Sequence, residues 1–143
     1  MTSIRGSSVS DRERSKVFVL DAAALFAGLQ LFLPGCSYTV PEVVEEVRDA
    51  ESREKLERSL EAGKLIVVSP SSRVEARAPL SSADVALLSL ALELSSRGAS
   101  VVVVTDDYAL QLAVKEAGLT YMPIKTLGVD RSPKRVGKAG ARA

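Results

Sequence analysis

The chain has no histidine, no tryptophan and one cysteine, Cys36, in 143 residues. Without histidine the usual general base at neutral pH is missing, which disfavours Ser-His-Asp and Cys-His catalysis and leaves carboxylates, Lys, Tyr or a metal-activated water. A single thiol excludes an intrachain disulfide and a multi-cysteine zinc site, so Cys36 reads as a small buried hydrophobe. Aromatic residues make up 4% of the chain, which leaves little material for stacking bases. The apolar residues, 46% of the total, come in short runs, none of bilayer length. The first 16 residues are rich in Ser and Arg with no apolar core, unlike a secretory signal or an anchor. We expect a single globular domain in the cytoplasm with no membrane contact. No glycine-rich loop follows any expected strand, which leaves a nucleotide-binding or receiver-like reading without support.

Charge is scarce in net terms, +1, yet it is unevenly placed. Residues 1–16 carry four basic and two acidic side chains and residues 130–143 five and one, so the middle is at −5 within that total. An acidic body between basic ends suits contact with nucleic acid through the ends. The candidate RNA contacts are Arg131, Lys134, Arg135 and Lys138, set among Gly, Ala, Ser and Pro in a tail expected to be disordered.

What the sequence does contain is organised around Val101-Val102-Val103-Val104-Thr105-Asp106-Asp107. Four β-branched residues without polar alternation suit a central strand of a parallel sheet, buried on both faces, and it ends at two carboxylates. Val17-Phe18-Val19-Leu20 runs into Asp21 in the same way. Open α/β sheets bind ligands just outside the carboxyl ends of their strands, so two apolar strands that end in acids point to a site. Helix capping is the competing explanation for each acid taken alone.

Ala22 to Ala27 is small and apolar enough for a helix packed on the sheet, and Pro34-Gly35 closes that region. Pro41 opens a second helix, with Val40, Val43, Val44 and Val47 at i, i+3, i+4, i+7. At roughly 100° per residue, Glu42 and Glu45 point away from this stripe while Glu46 lies on its border. Glu51 to Ala62 reads as a charged surface helix in which Glu54 and Arg58 can pair. Leu65 to Val68 is a short strand, followed by a polar loop from Ser69 to Pro79 that can border a groove. Ser81-Ser82-Ala83-Asp84 fits a capping box ahead of a helix buried through Val85, Leu88 and Leu92. After Asp107, Leu110, Ala113, Val114 and Ala117 mark another helix, and Tyr121 to Ile124 a last strand at an edge. The alternation predicts an α/β fold of three layers, α/β/α, around a parallel sheet of four to five strands. Residues 17–129 form the domain, 1–16 and 130–143 the flanks.

Asp21, Glu46, Asp84, Asp106 and Asp107 are the candidate site residues. Several carboxylates meeting in one cleft repel one another, an arrangement that makes sense if a hard cation, Mg²⁺ or Mn²⁺, neutralises them. Such a cation supports phosphodiester chemistry.

The succession of Val-Leu-Asp at 19–21, a helix carrying Glu46, Ser-x-Ala-Asp ending at Asp84, and Thr-Asp-Asp-Tyr at 105–108 resembles the PIN-domain ribonucleases. Thr39-Val40-Pro41-Glu42-Val43-Val44-Glu45-Glu46-Val47-Arg48-Asp49, Leu80-Ser81-Ser82-Ala83-Asp84 and Thr105-Asp106-Asp107-Tyr108-Ala109-Leu110-Gln111 are similar to the archaeal and eukaryotic branch that matures the 3′ end of small-subunit ribosomal RNA. The resemblance implies a PIN-like fold and a metal-dependent endoribonuclease of single-stranded RNA. It assigns Asp21, Glu46, Asp84 and Asp107 to the catalytic acidic set, with Asp106 auxiliary. Asp21, Asp84, Asp106 and Asp107 are the candidate metal ligands, the choice between the last two being open. Partners it implies are ribosomal RNA within a ribosomal-subunit precursor. VapC-type toxins, which pair with an antitoxin and often form homodimers, are the nearest alternative in length. This chain departs from the ribosomal branch in lacking the residues for a zinc ribbon, and from the family in placing Ala22 and Ala23, not hydroxyl residues, after its first acid. These alanines motivate a further alternative, a non-catalytic RNA- or protein-binding module.

Overall fold

A computed structural model describes residues 16–75 and 79–127. The basic tail, with Arg131, Lys134, Arg135 and Lys138, and residues 1–15 lie outside them. Five strands form one parallel sheet: β1 (Lys16–Leu20), β2 (Ser37–Thr39), β3 (Leu65–Val67), β4 (Ser100–Val104) and β5 (Thr120–Met122), in the order β3-β2-β1-β4-β5. Five helices connect them: α1 (Ala22–Phe26), α2 (Pro41–Val44), α3 (Ala50–Glu61), α4 (Ser82–Ser96) and α5 (Tyr108–Glu116).

The core is built on β4 and β1, as the unbroken apolar runs require. Val103 and Val104 are fully buried, as are Val19 and Leu20 beside them. Chain direction explains the layers. From β1 the chain moves to β2 and β3 on one side, then crosses to β4 and β5 on the other. Right-handed crossovers then place the helices of the first excursion on one face and those of the second on the opposite face. Contacts agree for α1, which packs against α3, and for α4, which packs against α5, while the short α2 departs from this division and reaches α4. The crossing makes the carboxyl ends of β1 and β4 a topological switch point, where open α/β sheets leave a crevice.

Strand β2 was not among the strands expected from the sequence. Its three residues, Ser37-Tyr38-Thr39, are polar enough to read as a turn, yet Ser37 and Thr39 are fully buried. Thr39 joins the sheet with side chain as well as backbone, its hydroxyl donating to the Leu20 carbonyl (2.8 Å). The last strand begins and ends earlier than Tyr121–Ile124; the fixed φ and missing N–H of Pro123 fall just past Met122, and Ile124 opens a 3₁₀ turn. Helix α1 stops at Gly28, ahead of Pro34-Gly35, because Gly28 takes φ of 75°, a conformation that side chains with a Cβ resist. Glu54 and Arg58, both exposed, form no ion pair, in keeping with the few tenths of a kcal/mol such a pair is worth on a helix surface. Within the described residues, no helix is long and apolar enough to cross a membrane.

Candidate active site

Register places the first acid. Leu20 pairs with Val104, so the next residues, Asp21 and Thr105, leave the sheet side by side, and the Asp21 N–H donates to the Val104 carbonyl (3.4 Å). Asp21 caps α1, its Oδ1 accepting from the Ala24 N–H (2.9 Å). Asp107 caps α5, its Oδ1 accepting from the Leu110 N–H (3.2 Å). Asp84 sits in the first turn of α4 in a reciprocal capping box: its N–H donates to Ser81 Oγ (3.1 Å), and Ser81 hydrogen-bonds back to its carboxylate. Capping and site were alternatives in the sequence; here the acids that cap helices also face a cleft.

The cleft, of about 340 Å³, is lined by Asp21, Glu46, Asp84 and Asp107, together with Ala22, Ala23, Ser81 and Pro79 among others. Four acids from four separate segments are thereby brought together. Glu46 arrives there by a different route from the one its helical angle suggested. Helix α2 ends at Val44, and N–H groups of Glu46 and Val47 bond the carbonyls of Val43 and Val44, each three residues back. Glu46 therefore stands on a turn, anchored below by buried Val43 and Val47. Two arginines hold that turn from outside: Arg48 Nε donates to the Glu45 carbonyl (3.1 Å) and Arg53 Nη1 to the Val47 carbonyl (3.2 Å). The loop after β3 reaches the cleft through Pro79 and is fastened to α2 by an Arg73–Glu42 ion pair (2.7 Å).

Asp106 is not among the residues lining the cleft. Its Oδ1 accepts from the Ile124 N–H (2.8 Å), tying the end of β4 to the segment after β5. Thr105, to which sequence reasoning assigned no role, is the organiser of this corner. It is fully buried, its Oγ1 accepts from the Asp107 N–H (3.0 Å), and its hydroxyl hydrogen-bonds Asp21. Gln111 Nε2 fixes the Thr105 carbonyl (2.8 Å). Its signal in the sequence is the threonine that opens Thr105-Asp106-Asp107. Hydroxyls do reach the acids, from Thr105 to Asp21 and from Ser81 to Asp84.

Crowding shows in the acidities. Burial raises the Asp21 pKa above its ordinary 3.8, with the charges of Asp84 and Asp106 adding to it, while the bonds from Thr105 and the Ala24 N–H pull the other way. Burial also raises Asp84, followed by the charge of Asp107, against the Ser81 hydrogen bonds. Such a set fits a hard divalent cation: the donors are carboxylate oxygens, and the repulsion among them is what a cation relieves. Among the described residues, no three acids are gathered closely enough to hold an ion by themselves.

Residues 18–94 match the PIN domain of ribonuclease. Ribonuclease VapC3 of Aeropyrum pernix is 40% identical over 137 residues, covering 88% of this chain and 96% of that protein. Endoribonuclease Nob1 of Pyrococcus abyssi is 36% identical over 118 residues, 75% of this chain and 68% of its own length. Nob1 of Methanothermobacter thermautotrophicus is 36% identical over 123 residues, with 78% and 70% covered. In three dimensions the chain resembles a PilT N-terminus domain protein of Sulfolobus solfataricus, with a TM-score of 0.57 at 19% identity over 78% of this chain and 89% of that one, a likeness of fold. Sequence and architecture agree: the chain belongs to the family of PIN-domain ribonucleases.

Proposed function

We propose that the chain is a metal-dependent endoribonuclease of single-stranded RNA, with Asp21, Glu46, Asp84 and Asp107 as its acidic set and Mg²⁺ or Mn²⁺ as cofactor. The observation that carries this reading is the meeting of these four acids in one cleft at the switch point between β1 and β4. A bound cation supplies charge stabilisation at the phosphate and a nucleophile from water. The chain's own part is to hold the carboxylates in place. Thr105 and Ser81 keep Asp21 and Asp84 able to ionise despite burial, and the amino-terminal ends of α4 and α5 favour negative charge beside them. Asp21 and Asp84 are the ligands we propose first, with Asp107 at the mouth and Asp106 acting through its charge on Asp21. Ribosomal RNA maturation is the role suggested by the motifs around Glu46, Asp84 and Asp107. A toxin-type ribonuclease, paired with an antitoxin or with a second copy, is the second reading. It is supported by similarity, the chain being 40% identical to VapC3 over 137 residues.

Labelled single-stranded RNA, from small-subunit ribosomal precursor and of unrelated sequence, incubated in Mg²⁺, Mn²⁺ or EDTA, tests the activity. Cleavage is expected with either metal and none in EDTA; undiminished cleavage in EDTA would contradict the metal-dependent reading. The tail is expected to add phosphate contacts. Removing residues 130–143 should flatten the dependence of log K on log salt by about 0.7 per lost contact, a change of roughly 3 for Arg131, Lys134, Arg135 and Lys138 together. An unchanged slope in a binding titration would leave the tail without that role.

A further inference from the structure

The aromatic side chains are three Tyr and three Phe, and most of the rings are wholly or partly withdrawn from solvent. Phe18 is buried, and Phe26, Tyr38 and Tyr121 are half-buried. Two rings are exposed, Phe32 at 69% and Tyr108 at 73%, and Tyr108 is the one that adjoins a residue lining the cleft. It is the first residue of α5, joined directly to Asp107, whose side chain lines the acidic cleft. Side chains on a helix lean toward its amino terminus, and at this position that is the end at the cleft. The face continues in keeping: Leu112, 39% exposed, lies one turn on, and Lys115, exposed, a further turn on at i+7 from Tyr108. Ring and cation thus lie on one helix face that runs outward from the cleft, the one able to stack a base and the other to pair with a phosphate.

We propose that Tyr108 is a base-stacking platform, on which an unpaired base of single-stranded RNA lies next to the phosphate held at the acidic cleft. The inference rests on the ribonuclease reading and deepens it by naming the feature that prefers single strands: a base in a duplex already has both faces stacked and cannot offer one to the ring. Lys115 takes a phosphate one step along.

The test is binding of labelled RNA by anisotropy, with Ca²⁺ present to offset the acids, for the wild type, Tyr108→Ala and Tyr108→Phe. Each protein is titrated with an intact strand and with strands carrying one abasic position at successive sites. Tyr108→Ala should weaken binding to the intact strand roughly 5- to 150-fold, whereas Tyr108→Phe, which keeps the ring, should stay within about 2-fold of wild type. One abasic position should weaken the wild type by a similar factor and the Ala variant by little more, the non-additivity of two groups that touch. Wild-type affinity in Tyr108→Ala, or a loss that adds in full to that of every abasic strand, would overturn the proposal while leaving the ribonuclease reading standing. A loss that follows a shift from dimer to monomer in sedimentation would assign the ring to a second copy of the chain, also overturning it. A wild type that binds no strand would overturn both readings.

Discussion

Replacing Asp107 with Asn should lower RNA cleavage by more than about 100-fold and leave the fold intact. Partners that merely support a metal ligand already account for roughly 10- to 100-fold, so loss of a charge at the cleft itself belongs at or beyond the top of that range. The structural side of the expectation is equally specific. Asp107 is exposed, and its one structural duty is to cap α5 by accepting the Leu110 N–H. Asn caps as well as Asp and is isosteric, so helix and backbone keep their geometry and only the charge is lost. Circular dichroism and melting should match the wild type within about 0.5 kcal/mol of stability. Cleavage by Asp107→Asn at the wild-type rate would remove this residue from the acidic set.

Asp21→Asn should produce two changes of opposite sign: a more stable protein without metal, and a smaller gain when Mn²⁺ is added. The carboxylate of Asp21 is held in a half-buried site facing the charges of Asp84 and Asp106, which is why its pKa is raised. A raised folded-state pKa means that the folded protein binds the proton more tightly than the unfolded chain does. Stability from this group is therefore greatest in acid and declines as pH rises from the ordinary 3.8 through the raised value, staying low above it. The uncharged Asn escapes that decline, so its advantage is full at neutral pH and narrows toward pH 3.8. Asn keeps an oxygen to accept the Ala24 N–H, so the cap on α1 survives. With Mn²⁺ at a hundredfold excess over its Kd, the wild type should gain about 2.7 kcal/mol, and the variant, short of a ligand and binding more weakly, correspondingly less. Thermal unfolding of both proteins at fixed ionic strength reads this directly. Equal stability without metal together with an equal Mn²⁺ gain would show that Asp21 does not share a site with the other acids.

The parts of the fold legible in the sequence were those whose burial is written in composition. Val101 to Val104 and Val17 to Leu20 read as central strands because nothing polar interrupts them, and they are the pair that sets the site. Strand β2 was not legible, because Ser37 and Thr39 are buried as hydrogen-bonding residues and no apolar period announces them. Glu46 reaches the cleft by a route the helical wheel does not describe: the wheel assumes two turns, whereas α2 stops after four residues and a pair of tight turns delivers the side chain. The choice between Asp106 and Asp107 could not be made from adjacent identical residues. Tertiary partners separate them, since the Ile124 N–H after β5 engages Asp106 while Asp107 turns to cap α5 and line the cleft. Thr105 was overlooked for a related reason: a hydroxyl that serves two acids at once is recognisable only when the register of β1 against β4 has placed both beside it.

Whether the acids at the switch point form a cation site is read by titrating Mn²⁺ into the RNA-free protein and following the resonance of the free ion. The wild type should withdraw Mn²⁺ saturably, in competition with Mg²⁺, while a protein with both Asp21→Asn and Asp84→Asn, still folded by circular dichroism, should leave the free-ion signal at its buffer value. Saturable Mn²⁺ uptake that is the same in the double variant, or no uptake by the wild type, would contradict a cation site there.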